Sequence, residues 1–357
     1  MKTIICSIQE ENVEQIAAKA AEIWKKGGLV AFPTETVYGL GGNGLDKEAS
    51  RKIYAAKGRP SDNPLILHIA AKEQVEALVS KVSDAGRLLM ESFWPGPLTL
   101  IFPKAECVPL ETTGGLNTVA IRMPNHPIAQ ALLKKSGLPI AAPSANVSGR
   151  PSPTLADHVI EDMDGRIDMI VDGGEVGIGV ESTIVDVTGE IPTILRPGYI
   201  TEEMLRNVVG EVDVDPAVAG SVSAEIKPKA PGMKYRHYAP KAPMVLVEGD
   251  DATVVEALNR ILAKAKKEGK KIGILASQEN AGKYQSGIIK VAGSHRDLTG
   301  VAHNLYRILR EFDKEEVEKI YSESFGGEEF GQAVMNRMKK AAGQQIISAR
   351  TLMDTEI

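Results

Sequence analysis

The chain has 357 residues, 43% hydrophobic and 25% charged, with a formal net charge of -5 at neutral pH. That is the balance of a soluble globular protein long enough for two domains with their own cores, and it excludes a broad electrostatic grip on nucleic acid or an anionic membrane. Cys6 and Cys107, the two cysteines, lie far apart without a Cys-x-x-Cys spacing, which excludes a disulfide framework and structural zinc. No apolar run is long enough for a bilayer, and the N-terminus lacks the apolar core of a signal peptide, so a cytoplasmic location is expected.

In chain order, residues 12–26 have helical spacing, with Val13, Ile16, Ala17, Ala20 and Ile23 on one face and Gly27-Gly28 as the stop. Residues 29–32 read as a short buried strand and 33–44 as a loop. Asp46 suits the N-cap of a helix over 47–56, and 65–69 is the next strand. Helices at 72–79 and 83–92, strands at 98–101 and 119–122, a helix at 127–135, and strands at 139–142, 169–172 and 182–187 follow. They predict a mixed α/β domain over 1–212.

From 213 to 243 proline and glycine are frequent and apolar periodicity is lost, which marks a linker. Lys234, Tyr235, Arg236, His237 and Tyr238 in its middle are costly decoration for a tether, so beside a solvated spacer stands the alternative of a linker that folds over a ligand as a lid. Beyond it, strands at 244–247, 271–276, 287–291 and 319–322 alternate with helices at 252–267, 298–311 and 331–341. Residues 244–357 thus read as a smaller, Rossmann-like three-layer α/β domain with a largely parallel sheet.

Gly39-x-Gly41-x-x-Gly44 matches the dinucleotide fingerprint with Asp62 downstream, but the glycines follow the strand by several residues and Asp62 lies in a proline-rich loop. The glycines point instead to a backbone that turns sharply or approaches something closely. No Gly-x-x-x-x-Gly-Lys-Ser/Thr occurs, which excludes a P-loop ATPase.

Two polar loops carry the chemistry. Lys57-Gly58-Arg59-Pro60-Ser61-Asp62-Asn63-Pro64 offers two cations, and Pro143-Ser144-Ala145-Asn146-Val147-Ser148-Gly149-Arg150 offers hydroxyls and an amide. Together they can hold a polyphosphate and orient a small polar co-substrate. Thr34, Thr36, Tyr38, His68, Thr118, Arg122, Ser152, Glu181, Ser182, Thr183, Arg196 and Tyr235 complete a dispersed polar set. Singly they have plain explanations: Arg122 as a surface cation, Ser144 as a turn former, His68 as a core histidine. Jointly, Lys57, Arg59, Ser144, Ser182 and Arg196 fall where an α/β sheet exposes strand or helix ends.

The segments Phe32-Pro33-Thr34-Glu35-Thr36-Val37-Tyr38-Gly39-Leu40, Lys57-Gly58-Arg59-Pro60 with Asn63-Pro64-Leu65, Thr118 to Pro124, Ala142 to Gly149 and Ser182 to Asp186 closely resemble the YrdC-type threonylcarbamoyl-AMP synthases. The match spans roughly residues 10 to 210, and Lys234-Tyr235-Arg236-His237-Tyr238 with the α/β tail resembles the longer, two-domain branch. The resemblance implies a YrdC-like catalytic domain that converts L-threonine, bicarbonate or carbon dioxide, and ATP with magnesium into threonylcarbamoyl-AMP and pyrophosphate. The product would feed the tRNA threonylcarbamoyl transferase machinery. It also implies catalytic roles for Lys57 and Arg59. Nucleotide contacts would come from Arg59, Asn63, Thr118, Ser144, Asn146, Ser152, Arg196 and Tyr235. Threonine contacts would come from Thr36, His68, Arg122, Ala142 and Ser182. An RNA-binding module without catalysis is the alternative, which the acidic net charge disfavours. The hydrogenase-maturation carbamoyl-adenylate type would need zinc-binding cysteines that this chain lacks.

Overall fold

The computed structural model describes residues 2–218, 230–231, 237–327 and 329–354. The chain divides into two compact units, Met1–Ser148 with Ser152–Tyr235, and Gly149–Pro151 with Arg236–Ile357.

In the first unit, eleven strands form one mixed sheet. Their spatial order is Ile4–Ser7, Met169–Asp172, Val30–Phe32, Gly39–Asn43, Ile140–Ala141, Ile66–His68, Thr118–Arg122, Leu98–Pro103, Thr183–Asp186, Thr193–Arg196 and Asp213–Val214. Local chemistry sets the helix ends. Helix Lys47–Lys57 starts where the Asp46 side chain accepts the Glu48 N–H and stops at Gly58, whose φ of 60° is left-handed. Helices Val13–Lys25 and Asp84–Phe93 are capped by Asn12 and Ser83 in the same way.

Gly39–Asn43, expected as a loop, is a strand between Val30–Phe32 and Ile140–Ala141. Its glycines, and Gly44 just beyond it, allow close packing: a Cβ on Gly41 would sit 2.7 Å from Ile140 and 2.8 Å from Phe32, and one on Gly44 would sit 2.2 Å from Leu67. The helix expected over 72–79 is broken into a 3-10 turn, Lys72–Gln74, and a single helical turn, Val75–Leu78. Gln74 Oε1 accepts the N–H groups of Ala70 and Ala71 at 2.8 and 3.2 Å, which holds the entry turn. Helices Ala156–Met163 and Glu202–Val209 and strands Ile4–Ser7 and Thr193–Arg196 were not anticipated.

The segment expected to be linker from 213 begins as sheet. Asp213–Val214 pairs in parallel with Thr193–Arg196, and the Asp215 N–H donates to Ile194 O at 2.9 Å. Further along, Ala230 is buried in a cluster with Ile66, Ile101, Ala120, Ile184 and Leu195.

The second unit has five parallel strands in the order Ile288–Gly293, Ile272–Ser277, Lys319–Glu323, Met244–Glu248 and Ile346–Ser348. One face buries Val245, Val247, Ile272, Ile274 and Tyr321 against Val254, Leu258 and Ile261 of helix Asp251–Lys267. Gly149–Pro151 groups with this unit, where buried Arg310 donates to Pro151 O from Nε at 3.2 Å and Nη2 at 2.7 Å. The last strand and helix Ala349–Asp354 extend beyond the expected elements.

Candidate active site

Strand alternation puts Thr118, Ala120 and Arg122 on one face of Thr118–Arg122. The register sets His68 and Thr99 beside Arg122, and Ile66 and Ile101 beside Ala120. The other face sends Val119 and Ile121 into the main core with Leu67, Leu100 and Phe102. On the Arg122 face, the small apolar cluster containing Ala120 and Ala230 is bordered by a row of polar side chains.

Arg122 is 4% exposed. Its Nε donates to Gly96 O at 3.3 Å and its Nη1 to Thr36 Oγ1 at 2.8 Å, while Nη2 lies 2.6 Å from Glu35 Oε1. Thr34 Oγ1 donates to Val37 O at 2.7 Å and lies 2.9 Å from Thr36 Oγ1, so the protons run Arg122 to Thr36 to Thr34 to the carbonyl. Nη2 and Glu35 thus form a close, buried ion pair. The guanidinium fork is thereby fixed in place at the edge of the polar row, its charge set against Glu35. Burial, the largest single influence, would raise the Glu35 carboxyl, but the Arg122 charge together with hydrogen bonds from Arg122 and the backbone N–H groups of Asn125 and Glu35 holds it below the usual carboxylate range.

His68 is buried with Nδ1 3.1 Å from Ile66 O. Burial, and then the Arg122 cation, pushes its pKa down to about 3. The ring is therefore neutral at physiological pH and serves as a shaped dipole, not a cation. Next in the row, Thr99 Oγ1 and Ser182 Oγ are 2.8 Å apart. Arg196 clasps Ser182, donating from Nη2 to its Oγ at 3.1 Å and from Nε to its carbonyl at 3.0 Å. His68, Arg122, Thr36, Ser182 and Arg196 are thus brought together by the sheet, whereas Thr118 lies at the far end of its strand, about 13 Å from Arg122 at 3.3 Å per residue.

The loop residues hold the flanks. Ala142 is buried and its N–H donates to Ile66 O at 2.9 Å. Ser144 bridges Gly39, and buried Asn146 donates from Nδ2 to Val147 O at 2.8 Å. Ser152, fully buried, donates to Glu181 Oε1 at 2.5 Å. Arg59 donates from Nε to Asn63 O at 3.3 Å and from Nη2 to Pro64 O at 3.1 Å, while buried Asn63 Oδ1 has no hydrogen-bond partner among the described residues. Lys57, expected as a phosphate cation, is buried with its ammonium on the carbonyls of Ser144 and Asn146. Tyr235 lies outside the described residues. Sequence reasoning missed Glu35, Gly96 and Thr99 as partners of this row. Period-2 alternation assigns Thr99 to the face away from Leu98 and Leu100, but the pairing that sets it beside Arg122 is a matter of sheet register. Among the described residues there is no group of three His, Cys, Asp or Glu side chains able to hold a metal ion, and no helix is long and apolar enough to cross a membrane.

A mixed α/β unit with a polar, arginine-bearing sheet face flanked by two polar loops has the inventory of a protein that binds small anions. The comparisons narrow that class. The Sua5–YciO–YrdC family, described as telomere recombination, matches residues 22–198, and a domain described as threonylcarbamoyl-AMP synthase, C-terminal domain, matches residues 200–343. The chain is 49% identical to the threonylcarbamoyl-AMP synthase of Pyrococcus abyssi over 97% of this chain and 99% of that protein. It is 50% identical to that of Bacillus subtilis over 94% and 95%. The solved structure of P. abyssi Sua5 complexed with L-threonine superposes with a TM-score of 0.90 at 48% identity, covering 98% of this chain and 99% of that one. The chain belongs to the threonylcarbamoyl-AMP synthase family, in its two-domain form.

Proposed function

We propose that this chain condenses L-threonine, bicarbonate or carbon dioxide, and ATP into threonylcarbamoyl-AMP, releasing pyrophosphate, and acts in the cytoplasm ahead of the machinery that transfers the threonylcarbamoyl group to tRNA. The observation that carries the reading is the polar row on one sheet face, with buried Arg122 fixed by Thr36, Gly96 and Glu35 beside His68, Thr99 and Ser182. In this reading Arg122 takes the threonine carboxylate, with neutral His68, Thr36, Ala142 and Ser182 around the amino acid. Arg59, Asn63, Thr118, Ser144, Asn146, Ser152, Arg196 and Tyr235 serve the nucleotide.

The chemistry needs little acid–base help. Once the threonine amine has lost a proton and added carbon dioxide, the carbamate oxygen is already anionic and attacks the α-phosphorus, expelling pyrophosphate. Catalysis then rests on gathering anions and stabilising charge at phosphorus. Magnesium enters on the substrate as MgATP, its ligands chiefly phosphate oxygens and water, with Arg59 neutralising charge beside it. Lys57 serves the phosphates through the loop it holds. The test is pyrophosphate release by the full chain: it is expected to require threonine and bicarbonate together. Release independent of threonine, or driven equally by lysine or glutamate, refutes the reading.

A further inference from the structure

Lys57 ends helix Lys47–Lys57 and is 1% exposed. Its ammonium donates to two backbone carbonyls of the second motif loop, Ser144 O and, at 2.5 Å, Asn146 O. Its own carbonyl accepts the Ser148 N–H at 2.8 Å. Side chain and main chain of one residue therefore grip a loop that lies 87 residues further along the chain.

The rest of that loop is tied down as well. The Ala145 N–H donates to Tyr38 O at 2.8 Å, and the Val147 N–H donates to Asp162 Oδ2 at 3.2 Å. The carbonyls of Ser144 and Asn146 accept from the Lys57 ammonium, and a carbonyl that loses its donor away from water is costly. An ammonium has three N–H groups, and Lys57 directs at least two of them at this loop.

On the nucleotide reading given above, we propose that Lys57 is a positioning residue. It fixes the Ser144–Asn146 loop in the conformation that receives the nucleotide, and direct contact with the phosphates belongs to Arg59. The paired cations of the first motif loop thus do different work: one assembles the site and the other meets the ligand.

Two variants of the full chain test this, Lys57→Met and Lys57→Arg. The first readout uses no ligand. Amide hydrogen exchange of Lys57→Met is expected to quicken at least about tenfold over residues 145–148, while the strands of the first unit keep their protection. Unchanged exchange there overturns the proposal even if the synthase reading stands. The second readout compares binding of ATP with that of adenosine, which has no phosphate. Lys57→Met is expected to weaken both by a similar factor, about tenfold or more, whereas Arg59→Ala weakens ATP selectively. Loss of ATP binding with adenosine unchanged in Lys57→Met makes Lys57 a phosphate ligand and overturns the proposal.

Lys57→Arg settles the matter if the methionine variant does not fold. Arginine is a good phosphate partner but too large and differently forked for a buried seat between two carbonyls. It is expected to bind ATP and adenosine about equally poorly, and wild-type ATP affinity in Lys57→Arg overturns the proposal. Should the synthase reading fail instead, neither ATP nor adenosine binds the wild type, while the exchange result still decides the loop.

Discussion

Replacing Arg122 by alanine removes three anchors at once and strands a charge. Glu35, whose side chain is 13% exposed, would be left without its cation, and the hydrogen bonds to Gly96 O and Thr36 Oγ1 would go with it. Breaking a buried pair by removing one partner costs about 3–5 kcal/mol, and the two hydrogen bonds the guanidinium donates add about 1 kcal/mol or more each, with incomplete additivity because they belong to the same charged group. Arg122→Ala should therefore destabilise the first unit by about 4–6 kcal/mol. At about 2–4 °C per kcal/mol for a unit of this size, the melting point should fall by about 8–24 °C. The second change, Glu35→Gln, removes the stranded charge, so the double variant should recover about 2 kcal/mol of that loss. The chain's two tryptophans, Trp24 and Trp94, are both buried in the first unit, so fluorescence-detected urea unfolding reports that unit by itself. If Arg122→Ala lies within about 1 kcal/mol of the parent, or if the double variant is no more stable than the single one, the ion pair does not organise this face.

His68 supplies a pH test. Its folded pKa, near 3, lies below the ordinary histidine value, so stability is fully present above about pH 6.5 and is lost as pH falls towards 3, by about 1.4 kcal/mol per pH unit. Urea midpoints at pH 7, 6 and 5 should fall more steeply for the parent than for His68→Asn; parallel slopes would remove His68 from the account. Arg59→Ala should lower threonine-dependent pyrophosphate release at least about a hundredfold, the scale of one lost transition-state donor, and near-parental turnover in the folded variant would take Arg59 out of the chemistry. Serine differs from threonine by one methyl, so kcat/KM should favour threonine by only about tenfold if burial alone discriminates; a preference of a thousandfold would show that the hydroxyl is fixed by hydrogen bonds that serine fails to make.

Much of this protein is settled locally, along the chain. Asn12, Asp46 and Ser83 cap the helices they precede, because a short polar side chain satisfies a free N–H within two or three residues. The alternating pattern of Thr118–Arg122 assigns Arg122 to the face away from Val119 and Ile121 without any neighbour's help. The motif residues were likewise visible as a polar set, since buried-looking strands followed by Lys, Arg, Ser and Asn are unusual in a plain core. Other features depend on partners distant in sequence. The glycines of Gly39–Asn43 read as a loop until Phe32 and Ile140 close on either side, because a strand made of glycine is chosen by what packs on it and not by its own propensity. Glu35 and Thr99 acquire meaning through Arg122 and Ser182, more than eighty residues away, and period alone cannot supply such a register. Lys57 shows the same division most clearly. Its charge is written in the sequence, but whether that charge faces phosphate or two carbonyls is decided by the loop that the tertiary fold brings against it.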